Sequence, residues 1–200
     1  MNKDAFHILS DIYPEDINFL DERDDFRFLS SVLLSAQTTD KRVNEVTPIL
    51  FSKYDTVKKL ATADIAQLEE ILHPLGFYRA KAKNLKALAA EIDELGFIPD
   101  TIDELVKLPG VGRKTANCYI GHILGRGAVI VDTHFARVAG RLGYTDSTDP
   151  AKIEEDIRKE FDEDELFRLS MVLNLHGRKY CHARKPECDI CPVRDYCKRE

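Results

Sequence analysis

The sequence predicts an all-α fold, and three observations carry that prediction. Apolar residues recur at intervals of three and four along most of the chain, the period of a helix with one buried face. Helix-start residues and glycine stops punctuate those stretches. Only Ala128-Val129-Ile130-Val131 has a strand-like composition, and four residues without a partner make no sheet, so they are read as an extended connector.

Taken in order, the helical pattern appears at Phe26, Leu29, Val32, Leu33 and Ala36, then at Val43, Val46, Ile49 and Leu50. It continues at Ile65, Leu68, Ile71, Leu72 and Leu75, and at Leu85, Leu88, Ala89 and Ile92. It returns at Phe135, Val138, Ala139 and Leu142, and at Leu166, Leu169, Val172 and Leu173. Thr101 stands three residues before Glu104, the spacing of a capping box. Asp149 followed by Pro150 reads as an N-cap and first helical position. Gly76, Gly96 and Gly143 fall where helices end. About ten short helices are expected, with no repeat, low-complexity tract or flexible linker.

A chain of 200 residues, 44% hydrophobic and 32% charged, is long enough for a substantial core. No run of about 18 apolar residues is present to span a membrane. The opening MNKDAFHILSDIYPED carries acids where a signal peptide carries an apolar stretch, so a cytoplasmic protein is expected. The net charge of −6 taken alone argues against a nucleic-acid partner. Its distribution argues the other way. Lys107, Arg113, Lys114 and Arg126 lie in an acid-free stretch from 105 to 131, and Arg79, Lys81, Lys83 and Lys86 in another from 79 to 86. One such run is ordinarily a solvated helix face; two beside a phosphate-binding motif suggest a positive face.

That motif is Leu108-Pro109-Gly110-Val111-Gly112-Arg113-Lys114. A helix over 102–108 runs into a turn, and a second helix starts at Arg113. Pro109 stops the first helix, and Gly110 and Gly112 open backbone conformations closed to other residues. Free N–H groups at the start of the second helix suit a phosphate, a grip that positions without specifying. A bare PGVG fits a plain helical corner equally well. Lys114 adds chemistry. The positive end of the helix dipole and neighbouring Arg113 both disfavour a charged ammonium there, and a neutral lysine amine is a nucleophile. A lysine that merely contacts phosphate is the alternative. Asp132, in Val131-Asp132-Thr133-His134, is a helix N-cap by position, with a second oxygen left to face a pocket.

Four of the five cysteines close the chain with the spacing C-x6-C-x2-C-x5-C: Cys181, Cys188, Cys191 and Cys197. Without a signal sequence they read as a metal site. Four thiolates suit Zn²⁺ or an iron–sulfur cluster, and spacing does not choose between them. Cys118 reads as a small buried hydrophobe.

LPGVGRKTAN followed by VDTH resembles the helix–hairpin–helix DNA glycosylases, most closely the endonuclease III family. LLSAQTTDKRVN (33–44), LGFYRAKAKN (75–84) and LHGRKYC (175–181) stand in family order, so the resemblance covers nearly the whole chain. It implies a bifunctional glycosylase and abasic-site lyase. Lys114 would attack C1′ of a damaged nucleotide to form a Schiff base, with Asp132 activating the amine and offsetting charge on the sugar. Gln37 and Phe77 would fill the gap left by the extruded nucleotide. Gly110, Gly112 and Arg113 would hold phosphate, as would Arg184 and Lys185 in the loop after Cys181. The cysteines would hold a [4Fe–4S] cluster, a structural group rather than the site of hydrolysis.

The expected architecture is therefore two helical lobes flanking a DNA cleft: residues 19–126, ending in the hairpin, and residues 1–18 with 127–200, carrying the cluster. The expected partner is double-stranded DNA with a damaged base or abasic site, bound by a monomer. The expected lesion is an oxidised pyrimidine. A glycosylase for another lesion or mispair, and a non-catalytic zinc-stabilised DNA-binding module, remain as alternatives.

Overall fold

A computed structural model describes residues 3–198. Among these the regular structure is entirely helical, as the apolar periodicity predicts. The α-helices are α1 (Asp4–Ile12), α2 (Asp25–Leu34), α3 (Asp40–Lys53), α4 (Val57–Ala61), α5 (Ile65–Leu72) and α6 (Tyr78–Leu95). They continue as α7 (Ile102–Leu105), α8 (Arg113–His122), α9 (Thr133–Leu142), α10 (Pro150–Glu160) and α11 (Glu163–Lys179). Short 3₁₀ turns occupy His73–Leu75, Cys188–Ile190 and Arg194–Tyr196. No helix among the described residues is long and apolar enough to cross a membrane.

The chain forms two compact units, Asn18–Leu124 and Met1–Ile17 with Gly125–Glu200. In the first, α2 packs on α6 and α8, and α4 and α5 pack on α6. Its core includes the fully buried Leu29, Leu34, Leu50, Leu60, Leu68, Leu72 and Leu85. In the second, α11 is the central element, packed against α9, α1 and α10. Leu9, Phe135, Ile153, Ile157, Leu169, Val172 and Leu173 fill that core.

Asp149 caps α10, its Oδ1 accepting from the N–H groups of Ala151 (2.9 Å) and Lys152 (3.1 Å), with Pro150 at the first helical position. Gly96 and Gly143 close α6 and α9 in the left-handed conformation that favours glycine. Thr101 departs from the expected capping box. Its hydroxyl bonds the Glu104 carboxylate (2.8 Å) instead of a backbone N–H. The helix before the hairpin is also shorter than the sequence suggests, ending at Leu105 instead of Leu108. Pro109 explains this: its ring crowds the carbonyl four residues earlier, that of Leu105, and it brings no N–H. Residues 106–108 tighten instead into bonds such as Lys107 N–H to Glu104 O (3.0 Å) and Leu108 N–H to Leu105 O (3.1 Å).

The apolar connector is extended and buried, with Ala128, Val129 and Ile130 all under 7% exposed. Ser170 of α11 supplies what a neighbouring strand would. Its Oγ accepts the Ile130 N–H (3.0 Å) and stands 3.1 Å from the Ala128 carbonyl. Ser170→Ala is expected to leave a buried N–H without a partner and to cost about 1–3 kcal/mol, measured as a lowered denaturant midpoint.

Candidate functional site

The hairpin turns on Gly110. Its φ is +75°, and an added Cβ would stand 2.9 Å from Leu33 Cδ1 and 3.0 Å from Asn84 Cβ. Both conformation and close packing therefore demand glycine. Gly112 differs: it is extended, and an added Cβ would meet nothing within 4 Å. What glycine does there is leave the start of α8 without a side-chain cap. Backbone N–H groups at a helix start of this kind can receive an anion. Arg113 and Lys114 form the first turn, and both are exposed.

Asp132 is the N-cap of α9. Its Oδ1 accepts from the N–H groups of His134 (2.9 Å) and Phe135 (2.7 Å). Its Oδ2 accepts from Asn174 Nδ2 (2.5 Å), and Arg178 Nε donates to Asn174 Oδ1 (2.8 Å). The sequence foretold the cap and a second oxygen with other work. It did not foretell Asn174, which reads as one polar residue in an apolar helix, 42 positions away.

Among the described residues, the non-glycine residues with positive φ are Gln37 (55°), Phe77 (47°) and Lys185 (50°). The family resemblance assigns all three to DNA contact. Each left-handed non-glycine residue costs about 1–2 kcal/mol, a strain that persists only where surrounding structure imposes it. All three are exposed, Phe77 at 66%. Phe77 is therefore no core aromatic. Gln37 is no helix cap either, since Thr39 caps α3 with its hydroxyl accepting from Arg42 N–H (3.3 Å). Lys81 supports the Phe77 loop from beneath. Its buried Nζ donates to the Leu75 carbonyl (2.9 Å), and burial pulls the ammonium below its usual range. Lys81 thus leaves the positive face expected of 79–86, and Arg79 lies 3.8 Å from the Glu69 carboxylate. Lys83 remains exposed and Lys86 half-buried.

Cys181, Cys188, Cys191 and Cys197 line one cavity of ≈ 370 Å³ together with Arg141, Tyr180 and Arg194. Among the described residues no three His, Cys, Asp or Glu side chains converge closely enough to hold one metal ion. Four free thiols around a shared space are the donor set of a sulfur-ligated cluster. Residues 181–198 bury only Val193, so the loop has almost no core. Helix side chains hold it. Arg137 Nε donates to Cys181 O (2.8 Å), and Arg141 Nη1 donates to His182 O (2.9 Å) and Cys181 Sγ (3.0 Å). His176 Nε2 is 3.5 Å from Cys191 Sγ, and its Nδ1 is 3.0 Å from the Tyr13 hydroxyl. Burial pushes that imidazole down to about 4, so it is neutral near pH 7. Arg184 and Lys185 are exposed on the loop between the first two cysteines.

The hairpin, the exposed Lys114 on it and the four-thiol loop all lie within regions that match known families. Residues 30–163 match the HhH-GPD superfamily of base excision DNA repair proteins. Residues 181–197 match the iron–sulfur binding domain of endonuclease III. Endonuclease III from Synechocystis sp. is 42% identical over 193 residues, covering 95% of this chain and 88% of that protein. Endonuclease III from Rickettsia felis is 40% identical, covering 96% and 92%. A trapped endonuclease III–DNA covalent intermediate superposes with a TM-score of 0.91 at 35% identity, covering 99% of this chain and 96% of that one. A thermostable thymine-DNA glycosylase shares the fold, with a TM-score of 0.83 at 23% identity, covering 97% and 93%.

The chain belongs to the endonuclease III family of the HhH-GPD superfamily. It is a DNA glycosylase and abasic-site lyase of base excision repair, its partner is DNA, and its cofactor is a [4Fe–4S] cluster. When bound, the cluster supplies a covalent anchor for a loop that lacks a core.

Proposed function

We propose that the enzyme, acting as a monomer, excises an oxidised pyrimidine from double-stranded DNA through a Schiff base on Lys114. The position of Lys114 carries this reading: exposed, in the first turn of α8, two residues past Gly112, which leaves the helix start without a side-chain cap. The neutral Nζ attacks C1′ of the damaged nucleotide, and the base departs with the electron pair of the glycosidic bond. The sugar ring opens as the imine forms. Loss of a C2′ proton then expels the 3′ phosphate, and water releases the lysine. Asp132 offsets the positive charge that develops on the sugar.

A base inside the duplex is beyond reach until it is rotated out. Gln37, with donor and acceptor, answers the orphaned base, and the Phe77 ring stacks in the vacated space. Gly110, Gly112 and Arg113 hold backbone phosphate at the hairpin, and Arg184 and Lys185 hold it at the cluster loop. Endonuclease III structures 35% identical to this chain are a trapped covalent intermediate with DNA and a non-covalent DNA complex, which supports DNA as the partner.

Phe77→Gly separates wedge from scaffold. Stacking is worth about 1–3 kcal/mol per base, so excision from duplex DNA is expected to fall about 10- to 100-fold. The melting temperature is expected to hold or rise, because glycine relieves the left-handed strain. A drop of several degrees would mark Phe77 as a packing residue. The lesion itself is decided by a panel of duplexes bearing thymine glycol, a G·T mispair or 8-oxoguanine opposite C. Thymine glycol is expected to be excised fastest. Faster processing of either competitor overturns the pyrimidine assignment and leaves the Lys114 chemistry standing.

A further inference from the structure

Asp132 is held more firmly than a helix cap requires. Capping uses Oδ1 alone, which takes two backbone N–H groups, and serine, threonine or asparagine would cap as well. With Oδ1 alone held, the carboxylate can rock about its Cβ–Cγ bond. Asn174 removes that freedom by donating to Oδ2. Asn174 is 6% exposed and lies on α11, packed against α9 within the same unit.

An asparagine amide can present either end, and Arg178 decides which. A guanidinium has donors only, and Arg178 Nε stands 2.8 Å from Asn174 Oδ1. The carbonyl end is therefore taken, and the amide nitrogen is left to face Asp132. The four-residue spacing of Asn174 and Arg178 puts both on one face of α11. The three donors fill most of the roughly four acceptor positions of a carboxylate. Such a group is a fixed negative charge, and a charge already in place needs no reorganisation as a cation develops beside it.

We propose that Asn174, oriented by Arg178, is a positioning residue for Asp132 in base excision. This rests on the reading of Asp132 as the charge that offsets the sugar cation. Nothing about capping requires Asn174; what it adds is a single orientation of the second oxygen.

The test is a double-mutant cycle with the cluster-loaded protein, read as single-turnover excision from a thymine glycol duplex and as duplex affinity by anisotropy. A hydrogen bond to a charged group is worth about 1.5–3 kcal/mol, so Asn174→Leu and Asn174→Ala are expected to slow excision about 10- to 100-fold. DNA affinity is expected to stay within about twofold of the unsubstituted protein, because the change acts on the chemical step. In an Asp132→Asn background either substitution is expected to add no further loss, since the carboxylate it positions is gone. Leucine preserves side-chain volume and alanine adds none, so failure of one variant to fold leaves the other to decide. Excision at the unsubstituted rate, a parallel fall in affinity, or additive losses in the double variant would each overturn the proposal. Full activity of Asp132→Asn alone would instead remove the reading of Asp132 on which it rests.

Discussion

Lys114→Arg is expected to bind abasic-site DNA and fail to process it. Arginine keeps the positive charge beside the hairpin and adds donors for phosphate, but its guanidinium stays protonated and forms no Schiff base. Excision and strand cleavage should fall by at least about 10³-fold, about 4 kcal/mol of barrier. Affinity for the same duplex should remain near that of the unsubstituted protein. Lys114→Ala should match it in rate and fall below it in affinity. A lysine that only gripped phosphate would behave otherwise: arginine would restore both. The exposed position of Lys114 makes the comparison clean, because neither change disturbs the core.

Cys188→Ala is expected to release the iron and unfasten residues 181–198 while leaving the helices in place. Val193 is the buried residue of that loop, and its ties include side-chain contacts from Arg137, Arg141 and His176 and backbone bonds such as Lys198 N–H to Arg141 O (2.7 Å) and Glu187 N–H to Tyr180 O (2.9 Å). Those contacts alone are too few to order eighteen residues against their conformational entropy, about 1–2 kcal/mol per residue. Iron content should drop to background, and limited proteolysis should cut within the loop and spare α9 and α11. Arg184 and Lys185 would lose their fixed places. Each phosphate contact contributes about 0.9 to the slope of log affinity against log salt, so the slope should become shallower by about 2. An unchanged slope would remove both residues from the DNA contact. The net charge of −6 does not set this slope, because the slope counts local phosphate contacts and not the total charge.

Most of this architecture is legible in the chain because its signals are local. The 3.6-residue period, the Asp149-Pro150 start, the Gly96 and Gly143 stops and the cysteine spacing each act within a few residues. The misreadings have local causes too. The first hairpin helix stops at Leu105 because Pro109 acts four residues upstream, an effect easily placed too late. Thr101 and Glu104 have capping-box spacing, yet the hydroxyl bonds the carboxylate directly. Lys81 counts as a surface charge by composition and is buried because the Leu75 carbonyl receives it.

What the chain does not disclose is long-range. Ser170 completes the connector from 40 residues away, and Asn174 reaches Asp132 across 42. A serine and an asparagine inside an apolar helix carry no mark of those partners. The left-handed backbones of Gln37, Phe77 and Lys185 are equally unmarked, since none is a glycine. Motif resemblance alone points to these three residues, and their left-handed backbones mark the same places independently.

Borohydride trapping on abasic-site DNA shows whether Lys114 is the nucleophile. Borohydride reduces the imine to a stable amine, so the adduct records which nitrogen attacked. Peptide mapping of the trapped product is predicted to place the deoxyribose remnant on Lys114, with no adduct from Lys114→Ala or Lys114→Arg. A Lys114→Ala protein that forms the adduct at the unsubstituted level, or a remnant mapped to another amine, would place the nucleophile elsewhere.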